Sequence, residues 1–418
     1  MNKKITQHSQ LPDLNQSWWQ LAAIQLTGVT SLPILTGSIL LINNNNFISS
    51  LLTLILANII LLIIRLLMIN MTFKGRKSAI DISIEYFGKF GSYFIAISLL
   101  LSTFAWFVMQ TTLASNALSY LIQIEQNLGI NRFMQIGVLI GILSTLFCMN
   151  GIKIIKWISI ISLPILLIAF IGIFLGTKLT LPPVANNKIS ISGLPIILTT
   201  SLGITIDLPT FFRHSKSKKN SIYALTVIQI LSFIIGLSSI FLFSIIQPWL
   251  GINTHNDLLS SKFLLKYSLI LFIFVSAICA NISNVYSSSV GWELIAPILA
   301  GIKEYLILGL SLTIGFILIA NIFSTELLAN LTDYALVNLS FILILGYLWS
   351  LFVKRPPNYQ EKSLYLITWI LSTTVNSLQI IGVIFDNISP LSISIISTIF
   401  IITIILPFIM LSTKIKAS

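Results

Sequence analysis

The sequence is poor in charge. Charged residues fill 9% of its 418 positions, and only 12 residues are acidic, whereas a soluble domain carries about 25% charged residues. Such a chain has too little polar surface to cover itself in water. Cysteine is almost missing. Cys148 and Cys279 both lie in apolar runs, and with three histidines in the whole chain they form neither a disulfide framework nor a metal-ligand spacing. There is no phosphate-binding glycine loop and no Ser-His-Asp arrangement that can be placed at one depth, so no enzyme chemistry is indicated and no cofactor is implied. The polar N-terminal stretch, Met1 to Gln16, lacks the basic-apolar-small order of a cleaved signal and reads as a short cytoplasmic tail.

Apolar residues are what the chain has in excess: 56% of positions, with a mean hydropathy of +0.97. A run of about 20 apolar residues crosses the hydrocarbon core of a bilayer. Twelve such runs occur, at 18–42, 47–69, 92–122, 133–150, 155–176, 193–212, 221–247, 264–288, 305–323, 327–353, 363–385 and 389–411. The expected fold class is therefore an all-α polytopic membrane protein. Lys and Arg collect on the cytoplasmic side of such proteins. With the N-terminus inside, 18 of the 24 fall inside, among them Lys74, Arg76, Lys77, Arg213, Lys216, Lys218 and Lys219. Arg132, Lys178, Lys188, Lys262 and Lys266 fall outside, and Arg65 snorkels from the inner end of the second run. Both termini are then cytoplasmic. The net charge of +12 follows from this topology, and a nucleic-acid partner is not implied. The loop 70–91 is basic and cytoplasmic; those at 177–192, with Pro182 and Pro183, and 248–263, with His255 and Asp257, are outer.

Two runs cannot remain simple helices. The first contains Gly28-Val-Thr-Ser-Leu-Pro-Ile-Leu-Thr-Gly-Ser38, with Pro33 between Gly28 and Gly37 and with Ser31, Thr30 and Thr36 able to satisfy freed carbonyls. The sixth contains Ser201-Leu-Gly-Ile-Thr-Ile-Asp-Leu-Pro209, where Gly203 and Pro209 weaken the ladder and Asp207 adds a carboxylate. Gly and Pro are common in membrane helices, but interruptions at corresponding places, one and six, point to two five-helix repeats of inverted topology. The domains expected are the tail 1–17, a core 18–353 made of repeats 18–176 and 193–353, and two further helices with a short tail in 354–418.

The polar groups inside the runs are few. Trp106 and Gln110 stand four residues apart on one helix face, a flat ring beside an amide. Asn281 and Asn284 lie one turn apart in the eighth run; each amide both donates and accepts, which suits the mixed edge of a heterocycle. Both pairs also fit ordinary helix packing. Asp207 is the one acid placed well inside a run, where it can carry a coupling proton, bind substrate or pair with Arg213 or Arg65. Glu326 and Asp333 flank the outer start of span ten, solvated or lining the outer vestibule; Glu293 is placed at the cytoplasmic end of run eight, and His214 in a solvated basic loop.

Asn281-Ile-Ser-Asn-Val-Tyr-Ser287 resembles the eighth-helix motif of the purine–cytosine permeases in the nucleobase:cation symporter-1 family. Ser31-Leu-Pro-Ile-Leu-Thr-Gly37 resembles that family's first-helix break, Trp106 with Gln110 its third-helix aromatic and amide, and Asp207-Leu-Pro-Thr-Phe-Phe-Arg213 its sixth-helix pattern. The resemblance runs over spans one to ten. It implies a five-plus-five inverted repeat with broken helices 1 and 6 plus two extra helices. It also implies a planar base held by Trp106, Gln110, Asn281, Asn284 and the unwound backbone near Ser31, Ser201 and Gly203. Ser201 stands where relatives carry a second aromatic, Asp207 where they carry Asn, and Thr210 where they carry Asp. Span ten lacks the prolines of relatives. The family's sodium site, between helices one and eight, aligns with Cys279 and Ala280, which bring no side-chain oxygen, with Ser276 one turn earlier. The coupling ion is Na+ or H+, with the proton favoured through Asp207.

The resulting expectation is an inner-membrane importer of a cytosine- or purine-like nucleobase, driven by a cation gradient. A hydroxymethylpyrimidine-type thiamine precursor or an amino acid on the same fold, and a decayed or non-transporting membrane subunit, are the alternatives. The sequence leaves the oligomeric state open.

Overall fold

A backbone amide or carbonyl in hydrocarbon must find its partner within its own segment, so each apolar run becomes a helix. In the computed structural model, which describes residues 15–29, 38, 41–42, 46–122, 131–176, 191, 193–241, 263–296, 299, 301–320, 325–384 and 389–399, twelve helices account for the twelve runs. They are α1 (Trp18–Val29), α2 (Phe47–Phe73), α3 (Ala79–Ile122), α4 (Asn131–Cys148), α5 (Ile152–Gly176), α6 (Leu194–Phe212), α7 (Lys218–Phe241), α8 (Phe263–Ile295), α9 (Ile302–Ile319), α10 (Thr325–Val353), α11 (Tyr359–Ile380) and α12 (Pro390–Ile399). Seven of the described helices are long and apolar enough to cross a membrane.

Helix pairing repeats under a shift of five. α1 packs on α5 and α7, and α6 packs on α10 and α2. α3 packs on α4, α9 and α10, and α8 packs on α9, α4 and α5. The pairs α2–α7, α3–α8 and α4–α9 map onto themselves. This is the pattern of two five-helix repeats, α1–α5 and α6–α10. α11 stands outside them, against α3 and α10. The α3–α8 pair, the two third helices of the repeats, lies at the centre of the fold. Close approach elsewhere depends on small residues: a Cβ at Gly141 of α4 would stand 2.5 Å from Thr313 Oγ1 of α9.

Three features differ from the sequence expectation. The loop expected at 70–91 is mostly helix, because Ser78 and Asp81 form a reciprocal cap, with Ser78 N–H donating to Asp81 Oδ2 at 2.9 Å and Asp81 N–H to Ser78 Oγ at 3.2 Å. The chain then turns into the long part of α3 at Gly88, whose φ of 72° is open to glycine. α6, expected to break, is helical from Leu194 to Phe212 with Pro209 inside it. A proline one turn from a helix end removes a single ladder bond, and the helix closes past it, Arg213 N–H donating to Pro209 O at 3.1 Å. The expected break in the first run, with Ser31, Pro33 and Gly37, lies outside the described residues, as do the outer loops with Pro182, Pro183, His255 and Asp257.

Candidate functional site

Trp106 and Gln110 fall mid-way along α3, Gln110 meeting α8 and the Trp106 indole meeting α10. Trp106 is half-buried and Gln110 is buried. Asn284 of α8 donates from Nδ2 to Gln110 Oε1 at 3.3 Å and to Asn281 Oδ1 at 3.4 Å, and Asn281 donates from Nδ2 to Thr111 Oγ1 of α3 at 2.8 Å. Four side chains thus form one ladder across the α3–α8 seam. Among the described residues, Gln110 Nε2 and Asn284 Oδ1 have no protein partner on this ladder. They leave one donor and one acceptor on neighbouring amides, one turn of α3 from Trp106, and the orientation is set because Thr111 Oγ1 gives its proton to Phe107 O and so accepts from Asn281. Asn281, expected to touch substrate, is fully enclosed and positions Asn284. The seam continues toward the C-terminal part of α8 through Thr103 and Ser288, 2.7 Å apart.

Two acids border this ladder. Asp207 of α6 is half-buried, with Ser287 of α8 as its hydrogen-bonding partner. Asp333, expected at the outer rim, is 2% exposed and accepts the indole N–H of Trp106. The helix explains the difference: α10 starts at Thr325, and eight residues at 1.5 Å each place Asp333 about 12 Å into it. The sequence signal was available, since an acid two turns into an apolar helix is functional by default. The side chain of Glu326 lies outside the described residues.

The remaining site expectations divide. Arg65 does not snorkel: it is 6% exposed and donates from Nε to Thr205 Oγ1 at 3.3 Å and from Nη1 to Gln229 Oε1 at 2.8 Å. Neither Arg65 nor Arg213 forms an ion pair with Asp207; the ion pairs among the described residues are Lys77–Glu85 and Arg355–Glu361. At Ser201 and Gly203 the backbone of α6 is engaged in the helix, and Ser201 O also accepts Thr205 Oγ1 at 2.8 Å, so unwound donors are not present there. Gly28 packs against Ser283 of α8, where an added Cβ would meet Oγ at 3.8 Å. Ser276 is wholly buried and already partnered, and the Cys279 thiol meets Ser162. No cluster of His, Cys, Asp and Glu able to hold a metal occurs among the described residues.

His214, expected in a solvated loop, is fully buried in the turn between α6 and α7. Its Nε2 lies 3.0 Å from Tyr286 Oη and accepts from Arg213 Nε at 3.3 Å, which requires that nitrogen to be unprotonated. Burial and the adjacent Arg213 charge press its pKa down to about 3. Two chain segments close over this turn. Gln16 N–H donates to His214 O at 3.3 Å, Lys216 N–H donates to Gln16 O at 2.9 Å, and Arg76 Nη1 donates to Ser215 O at 2.6 Å. Glu293 is half-buried at the end of α8.

A paired five-helix repeat with a polar seam between its third and eighth helices defines a class, the LeuT-like membrane fold, and solved structures of that class match nearly the whole chain. A nucleobase-cation-symport-1 family transporter, in a closed conformation with bromovinylhydantoin bound, matches with a TM-score of 0.73 and 14% identity over 97% of this chain and 95% of its own. A Na+-coupled sialic acid symporter in a substrate-bound outward-open state matches at 0.68 and 14%, covering 96% and 91%. A manganese transporter of Eremococcus coleocola, in complex with an aromatic bis-isothiourea compound, matches at 0.59 and 14%, covering 94% and 92%. No family model and no curated protein matches the sequence.

Proposed function

We propose that this protein is a secondary active transporter that imports a nucleobase of the cytosine or purine type together with a cation, across the inner membrane and with both termini cytoplasmic. The observation that carries this reading is the Asn284–Gln110 bond, which leaves Gln110 Nε2 and Asn284 Oδ1 without a partner among the described residues, one helix turn from the Trp106 indole. Cytosine and adenine present a flat ring with a ring nitrogen acceptor beside an amino donor, the complement of that pair. Trp106 stacks the ring, Gln110 and Asn284 bond its edge, and Asn281 with Thr111 holds Asn284 in place. The neighbour that matches with a hydantoin bound supports a planar heterocycle on this fold.

The proton is the favoured coupling ion. Cys279 and Ala280 bring no oxygen to the place where a sodium site is implied, and Ser276 is enclosed with a partner of its own. Asp207 and Asp333 supply carboxylates instead. The test is competition: purified protein bound to labelled cytosine is challenged with adenine, hydroxymethylpyrimidine, sialic acid and manganese. Displacement by adenine or hydroxymethylpyrimidine alone supports the reading. A 4-amino-pyrimidine edge is common to cytosine and hydroxymethylpyrimidine, so unlabelled cytosine is run beside hydroxymethylpyrimidine, and the stronger of those two competitors names the substrate. Absence of any heterocycle binding would overturn it.

A further inference from the structure

Asp333 has been given a bond to Trp106 and a carboxylate's capacity for a proton, but no link between the two, and its surroundings are unusual. It is 2% exposed, and its partner among the described residues is a neutral one, the Trp106 indole. Among the described residues, the charged side chains of the helices packed on α10 are committed elsewhere; Lys362 of α11 lies against Gly88 of α3, where an added Cβ would meet its Cδ at 3.8 Å. From α2, Arg65 is committed to Thr205 and Gln229; from α6, Asp207 meets Ser287 and Arg213 meets His214; from α11, Glu361 is bound by Arg355. On α3 the ionisable side chains Asp81, Glu85 and Lys89 lie near its first turns, some four turns or more from Trp106. A buried carboxylate without a cation is costly when ionised, so it is retained for what its charge or its hydrogen bond does.

We propose that Asp333 aims Trp106, and that proton uptake by Asp333 loosens its hold on the indole, linking the ring-stacking surface on α3 to the position of α10. This rests on the reading of Trp106 as the group that stacks substrate. The geometry makes the link direct. An indole rotates about two side-chain bonds, and a bond from Nε1 to a fixed acceptor selects one ring plane. Ionised Asp333 accepts that N–H in a charge-assisted bond roughly twice as strong as a neutral one, and protonated Asp333 accepts it as an ordinary carboxylic acid. The proton therefore changes the strength of the α3–α10 tie without abolishing it. Since α10 also packs on α6, a weaker tie to α3 frees α10 to shift with α6. Asp333 is in these terms a positioning residue.

Two variants separate charge from hydrogen bond. Asp333→Asn keeps an acceptor for the indole and removes the titration; Asp333→Leu removes both. In transport assays Asp333→Asn is expected to keep KM within about twofold of wild type while losing gradient-driven accumulation and retaining exchange of internal for external substrate. Asp333→Leu is expected to raise KM about tenfold, the loss of one hydrogen bond to a charged group. Combined with Trp106→Phe it should raise KM no further, because the pair then shares one lost contact. Additive effects, or an Asn variant that still accumulates substrate, would overturn the proposal. A second arm needs no substrate. The emission of Trp106, taken as wild type minus Trp106→Phe in purified protein, should shift in one titration that Asp333→Asn removes. A shift that persists in the Asn variant, or no shift in wild type, would contradict the proposal even if the protein transports no nucleobase.

Discussion

Asn284 of α8 donates to Gln110 of α3 across 3.3 Å, and this bond joins the third helices of the two repeats at the point where the Trp106 ring stands. It fixes the orientation of both amides. Turning one would set two donors or two acceptors against each other, so the donor and the acceptor left open among the described residues come as a pair.

Gln110→Leu should therefore do more than delete one contact. It removes the free donor and leaves Asn284 Nδ2 with only the longer, 3.4 Å bond to Asn281. Site discrimination by an unpaired polar group is strong. Affinity for the base, measured by equilibrium binding, is expected to fall at least tenfold, since each lost hydrogen bond is worth about 1 kcal/mol and an unsatisfied partner adds about 1–3 kcal/mol. Unchanged affinity would remove Gln110 from the site.

Arg65 is a stabilising cross-tie between α2, α6 and α7. Its guanidinium serves Thr205 and Gln229 together, and Gln229 in turn donates to Asn58 Oδ1 at 2.7 Å. An ammonium group is a point donor and cannot reproduce the fork. Arg65→Lys should lower the thermal midpoint in detergent by several degrees, with about 1.5–3 kcal/mol lost if one charged hydrogen bond is not remade. An unchanged midpoint would show that the fork is not holding the three helices.

His214 gives a pH dependence with a defined sign. Its folded-state pKa is depressed to about 3 by burial first and by Arg213 second, whereas an unfolded histidine titrates near 6.5. Between these values the unfolded chain binds the extra proton, so stability is full above about pH 6.5 and is lost as pH falls toward 3. His214→Gln should flatten that part of the acid denaturation curve, read by circular dichroism. An identical curve would mean that the histidine is not held neutral.

The helices and the core of the site were legible because they depend on local pattern. Hydropathy located the twelve runs, and spacings of four and three residues put Trp106 with Gln110 and Asn281 with Asn284 on their faces. What failed depended on depth or on distant segments. Asp333 was assigned to the rim although it stands six residues inside the run at 327–353, and α10, from Thr325, carries it in by two turns. His214 sits in a basic stretch, and its burial depends on Gln16, Arg76 and Tyr286, which are remote in sequence. Arg65 was placed by the convention that long cations reach for water, and no local signal reveals the acceptors on α6 and α7. Pro209 was overweighted because its effect depends on its distance from the helix end.

The most direct measurement is uptake of labelled cytosine, adenine and hydroxymethylpyrimidine by cells lacking their own permeases, for wild type and Trp106→Ala at matched surface levels. It is run with sodium, without sodium and with a protonophore. The account predicts that one of these rings accumulates in wild type, that accumulation survives removal of sodium and fails with the protonophore, and that Trp106→Ala abolishes it. Equal accumulation by Trp106→Ala, or no accumulation of any of the three by wild-type protein present in the membrane, would contradict the claim that a planar base is carried on the α3–α8 seam.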